Sequence, residues 1–218
     1  MSTQFTEQLL VKSAELFASY QFETYDTEKL RRCYSKVVLP GIMGVVQLRY
    51  GFNRGVLLAH YSFGIRFEEV SRIKAELFSD DKEILDSIRS NPLATTVGEL
   101  SVDYRRSWID RRFIPCAPIQ SDKQLSKYLK EIEWLITKII QPYFRANSSI
   151  PAASQCFRRK QLCCGNVDEV LIYVLNQEYD YAESVVNSRF LKSRSGEAVI
   201  RGNRLLEYIS KEKAVCGT

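Results

Sequence analysis

The run Val56–Phe67 alternates without a break. Leu57, Ala59, Tyr61, Phe63, Ile65 and Phe67 share one face, while His60, Ser62, Gly64 and Arg66 share the other. Successive side chains of a strand point to opposite faces, so period two over this length predicts a β-strand with one buried side. Ile42–Phe52 repeats the pattern. Val46, Leu48, Tyr50 and Phe52 point one way, and Val45, Gln47 and Arg49 point the other. Asn53-Arg54-Gly55 supplies the turn between the two runs. Leu30–Val38 is a further candidate strand, separated from the next by Pro40-Gly41. The three runs together predict an antiparallel meander with one covered face.

Helical spacing surrounds this block. Phe5, Leu9, Ser13, Leu16 and Tyr20 form a stripe over Thr6–Tyr20, widened by Leu10 and Phe17. Val70, Ile73 and Leu77 share a face after the meander. Asp80-Asp81 can start a short helix that carries Ile84, Leu85 and Ile88, ended by Asn91-Pro92. Strands return at Thr95–Tyr104 and Trp108–Cys116, and Pro115 and Pro118 close the sheet region. Asp122–Tyr143 is the clearest helix, with Ser121 or Asp122 as its cap and Pro142 at its end. Past a small, polar stretch, Asn166 can cap a helix that holds Asp168 and Glu169 in its first turn. Ala182, Val185 and Val186 suggest another helix, and Leu205, Leu206 and Ile209 a third.

The expected fold is α+β: a mainly antiparallel five-stranded sheet covered by helices, with a C-terminal helical appendage. Residues 1–145 form the α+β domain, 146–165 a linker and 166–218 the appendage. A tail of that size is too small to be stable alone and must dock.

Chemical signatures are sparse. The chain has a single histidine, His60, and most acid–base and metal chemistry draws on histidine. No orienting partner for His60 can be named from the sequence. Pro40-Gly41-Ile42-Met43-Gly44 lacks the Gly-Lys-Ser/Thr ending of a phosphate loop and opens a strand. No GxSxG or HExxH occurs. Six cysteines without CxxC spacing, in a chain with no signal peptide, read as reduced thiols in the cytosol. No catalytic residue, metal site or cofactor is expected, and no segment is apolar enough to span a membrane.

Arginine is the residue type that stands out. Arg49 and Arg66 fall on the polar face of neighbouring strands, with Gln47 and His60 beside them. Arg105, Arg106, Trp108 and Arg111 extend the set. Arginine suits bidentate recognition of carboxylates and phosphates. These eight residues are the candidate partner-binding surface. The net charge of +5 fits an acidic protein or a nucleic acid and demands neither.

A resemblance sharpens this. The opening helix Phe5–Tyr20, the run LRRCYSKVVLPGIMGVVQLRYGFNRGVLLAHYSFGIRF, the run VGELSVDYRRSWID and the helix ending IIQPYF follow an order of elements that resembles an uncharacterised bacterial family of small α+β domains. Some members of that family occur among toxin-immunity genes. The resemblance implies a non-catalytic protein-binding module, conceivably an immunity protein that neutralises a toxin by direct binding, and carries over no catalytic residue. RNA or DNA binding by an arginine-rich sheet face ranks second, and a cytosolic enzyme of unfamiliar type third.

Overall fold

A computed structural model describes residues 2–28, 31–53, 56–90, 96–100, 117–158 and 166–217. The chain opens with α1 (Ser2–Ser19), followed by β1 (Glu23–Glu28), β2 (Arg31–Leu39), β3 (Ile42–Asn53) and β4 (Val56–Phe67). Then come α2 (Glu68–Leu77), α3 (Lys82–Ser90), β5 (Thr96–Leu100), β6 (Ala117–Ile119) and α4 (Asp122–Leu135). A π-helical turn over Ile136–Ile140 leads into α5 (Gln141–Asn147), α6 (Ile150–Arg158), α7 (Asn166–Leu175), α8 (Tyr179–Arg189) and α9 (Gly196–Cys216). This is the α+β architecture expected. The sheet path runs β1-β2-β3-β4-β5, and the short β6 also pairs with β4. The predicted strand Trp108–Cys116 and residues 101–104 of its neighbour lie outside the described residues.

The chain divides into two compact units. One, the sheet unit, joins Met1–Ile65 to Glu99–Ala146. The other, the helical unit, joins Arg66–Gly98 to Asn147–Thr218. The division differs from the expected one: α2 and α3 belong with the C-terminal helices, and the expected linker 146–165 contains α6, which buries Ala153, Ser154 and Phe157.

In the sheet unit, β2 pairs antiparallel with β1 and with β3. Tyr34, Val46 and Leu48 lie on one face of the sheet and are buried. Phe17 of α1 stacks on the Tyr34 ring at 4.2 Å between centroids and meets Phe22 edge-on at 5.4 Å. Leu9, Ser13 and Phe17, at helical spacing, form the buried centre of the α1 stripe, and Ser13 Oγ lies 3.2 Å from the Tyr61 hydroxyl. On α4, Ser121 caps the helix by accepting the Gln124 N–H, and Leu125, Tyr128, Ile132 and Leu135 face inward. The helix does not stop at Pro142. Proline lacks the N–H for the Lys138 carbonyl and its ring would press on that carbonyl. The π turn widens the helix just ahead of it, with Gln141 N–H bonded to Ile136 O five residues back, and α5 continues to Asn147. Gly44 of β3 lies against the Phe144 ring, which occupies the space any side chain there would need.

In the helical unit, α7 is apolar on every side from Val170 to Val174. Val167, Val170, Leu171, Ile172, Tyr173 and Val174 are all buried, so this helix needs cover all round. It packs against α2, α6, α8 and α9. That need explains why α2 joins the C-terminal helices.

Candidate functional site

The sheet arginines begin from backbone register. Cys33 of β2 faces Gln47 of β3, and Arg31 faces Arg49 one row along. On the β1 side, Glu28 is in register with Arg31 and Asp26 with Cys33. Gln47 and Arg49, two residues apart, share the face of the sheet opposite Tyr34, Val46 and Leu48.

That face is not the open polar surface expected. Cys33 and Val45 are buried on it, and Gln47 is 0 % exposed. An amide out of water must find partners. Gln47 finds two: its Nε2 donates to Cys33 Sγ at 3.6 Å, and its Oε1 accepts from Arg49 Nε at 2.5 Å. Gln47 is therefore an anchor beneath the surface and not a contact residue, which corrects its place among the expected binding residues. Arg49 itself is exposed. A guanidinium held at Nε by a buried amide keeps a fixed plane, and the terminal amino groups of such a plane suit a carboxylate fork. Arg31, directly opposite, places a second cation on the same face, with Glu28 of β1 in register on its other side.

A sequence signal reinforces this geometry. Lys29–Phe67 contains seven Lys or Arg residues and no Asp or Glu, while the rest of the chain holds 24 cations against 26 acids. The whole excess of positive charge sits in the meander. Alternation sorts residues by face and not by charge along the chain, so it does not carry this signal.

The side chain of His60, and Arg105, Arg106, Trp108 and Arg111, lie outside the described residues. Arg66 is half-buried near the end of β4 and falls in the helical unit.

The helical unit uses its charges differently. Lys74 Nζ of α2 lies 3.1 and 3.3 Å from the two carboxylate oxygens of Asp168 on α7, and both residues are buried. Burial pushes the Asp168 carboxyl up to about 6, with Lys74 opposing the shift. Burial likewise raises Glu169, against the pull of Arg189 Nη1 at 2.6 Å. Arg201 holds Asp81 and Glu83, Arg204 holds Asp80, and Glu178 accepts from both Ser154 and Arg158. Two open clefts accompany these pairs: one of about 310 Å³ beside Asp81, Glu197 and Arg201, and one of about 460 Å³ beside Arg158, Tyr179 and Tyr181. Asp80, Asp81, Glu83, Arg201 and Arg204 in the first and Arg158, Glu178, Asp180 and Lys213 in the second engage in ion pairs.

Cys33, Cys156 and Cys216 form no disulfide among the described residues, and Cys116, Cys163 and Cys164 lie outside them. Among the described residues no group of three or more His, Cys, Asp or Glu side chains is placed to hold a metal ion, and no helix is long and apolar enough to cross a membrane. Comparison of the chain with protein-family models, curated proteins and solved structures gives no match.

Proposed function

We propose that this chain is a non-catalytic binding module that holds an acidic protein partner through the arginine row of β2 and β3, with Arg49 as its anchor. One observation carries the proposal: a fully buried amide, Gln47, bonds and orients the exposed guanidinium of Arg49, in a run, Lys29–Phe67, that holds seven cations and no acid of its own. Oriented arginines with water excluded beneath them are typical interface hot spots. A protein partner is preferred over nucleic acid because Cys33, Val45 and Gln47 are buried on the arginine face, so that among the described residues of β2 and β3 it shows no open aromatic platform on which bases could stack. We place the binding in the cytosol, as the cysteine usage of the sequence suggests. Toxin neutralisation, implied by the resemblance of the sequence pattern, is the narrowest form of this function.

The test is capture of partners by the tagged chain from its host's lysate after nuclease treatment, for the wild type, Arg49→Ala and Gln47→Leu. One stoichiometric protein, retained by the wild type, lost with Arg49→Ala and weakened with Gln47→Leu, is the expected result. A toxin in that position would identify the narrow form. Material that disappears on nuclease treatment, or equal capture by all three proteins, would contradict the proposal.

A further inference from the structure

On the face of the sheet opposite Arg49, two buried polar atoms of β2 have no hydrogen-bond partner among the described residues: Arg32 Nε and the Tyr34 hydroxyl. Two positions apart on one strand, the residues share a face and stand about 7 Å from each other along the backbone. Leu48 is in register with Arg32, and Val46 with Tyr34. Tyr34 is 1 % exposed, while Arg32 is half-buried, so the guanidinium still reaches water and the hydroxyl does not. The surrounding core is otherwise well satisfied. Tyr61 meets the same Phe17 ring that stacks on Tyr34, and its hydroxyl lies 3.2 Å from Ser13 Oγ.

Buried donors without acceptors cost free energy. Burial pushes the Tyr34 hydroxyl up to about 12, with the Arg32 cation opposing the shift, so the hydroxyl keeps its proton and can donate. The opposing effect also shows that the guanidinium and the hydroxyl act on each other across the space between them. Both groups therefore lack the same thing, an acceptor. No acid of β1 is in register with either of them. Glu23, Asp26 and Glu28 pair with Ser35, Cys33 and Arg31, which alternate to the other face, while Thr27 pairs with Arg32 and Thr24 with Tyr34. Among the described residues Arg32 makes no ion pair.

The acceptor that fits carries one negative charge. A carboxylate can take one bond from a guanidinium and one from a phenol, and its charge matches that of Arg32. A phosphate dianion would leave a charge uncompensated beside the buried Val46 and Leu48. We propose that Arg32 and Tyr34 form a binding site for the carboxylate of a small organic acid. It is independent of the Arg49 site, because the two lie on opposite faces of the sheet, and either stands if the other fails.

The test titrates acetate, with inorganic phosphate as the comparison, into the isotope-labelled full chain at constant ionic strength. The reporter is the arginine Nε–H resonance that disappears in Arg32→Gln. In the wild type it is expected to shift saturably at millimolar acetate and less with phosphate. Tyr34→Phe keeps the ring that stacks on Phe17 and removes only the hydroxyl. It should weaken acetate binding by about tenfold, yet fold at least as stably as the wild type when no acetate is present. A wild-type resonance without a saturable shift would overturn the proposal. So would equal acetate binding by the wild type and Tyr34→Phe, or phosphate binding tighter than acetate.

Discussion

The two units of this chain treat charge in opposite ways. In the helical unit, acids and bases meet each other: Lys74 with Asp168, Glu169 with Arg189, Arg201 with Asp81 and Glu83, Lys213 with Glu183. These pairs join α2 to α7, α7 to α8, α3 to α9 and α8 to α9, so the charge acts inward, as cross-links between helices. The meander has cations and no acids from Lys29 to the end of β4, and β1 alongside β2 brings Glu23, Asp26 and Glu28. There, hydrophobic and aromatic packing around Phe17, Tyr34 and Tyr61 holds the elements together. Charge matched within the helical unit links its helices; on the proposed reading, the excess of cations in the meander is what recognises a partner outside the chain.

That contrast is broken most sharply at its most buried pair. Lys74→Ala leaves the Asp168 carboxylate without its partner in a site closed to water, and should destabilise the helical unit by about 3–5 kcal/mol. Its urea transition would read this directly. Replacing both residues by apolar ones of similar size, Lys74→Met with Asp168→Leu, should recover most of the loss. If the single variant were as stable as the wild type, the pair would not be a cross-link.

The same carboxyl gives a pH dependence of defined sign. Its pKa is raised from 3.8 to about 6, first by burial. The folded unit then binds that proton more tightly than the unfolded chain. Stability from this group is present below the unfolded value and is lost as the pH rises toward about 6, by about 3 kcal/mol in all. Asp168→Asn should flatten this window in unfolding curves taken between pH 4 and pH 7. An unchanged slope would mean that the carboxyl is less desolvated than its burial implies.

In the sheet unit the sensitive point is steric. Gly44→Val would drive a side chain into the Phe144 ring and should cost about 1–3 kcal/mol through overpacking. Combining it with Phe144→Ala should return part of that stability. Gln47→Leu should change stability by about 1 kcal/mol, since an amide and its bonds are replaced by an apolar group of similar size, yet weaken partner capture by releasing the Arg49 plane. The smallest effect is expected at Arg204→Ala, whose partner Asp80 is largely exposed. Such a surface pair is worth little, and neither stability nor binding should change measurably.

How much of this was legible in the sequence follows from what each pattern encodes. β4 was predicted with the bounds observed, because twelve residues of alternation leave no other period to fit. β1, with the sequence ETYDTE, shows no apolar alternation; it is an edge strand defined by backbone pairing with β2. α6 was read as linker because Ile150-Pro151 and small residues look like loop, although proline is well tolerated in the first turn of a helix. Val70 and Ile73 revealed that α2 buries one face, but a stripe does not say which neighbour covers it. Gln47 was misplaced for a related reason. A polar residue in a strand reads as outward-facing when the cover on that side of the sheet is unknown, and the bond to Arg49 exists only because that side is buried.

The most direct measurement compares two arginines from the two units in one assay: nuclease-treated capture from lysate by the wild type, Arg49→Ala and Arg204→Ala. If one-sided charge serves recognition and matched charge serves cohesion, the wild type and Arg204→Ala retain the same acidic protein and Arg49→Ala loses it. Loss with Arg204→Ala and retention with Arg49→Ala would reverse the assignment and contradict it.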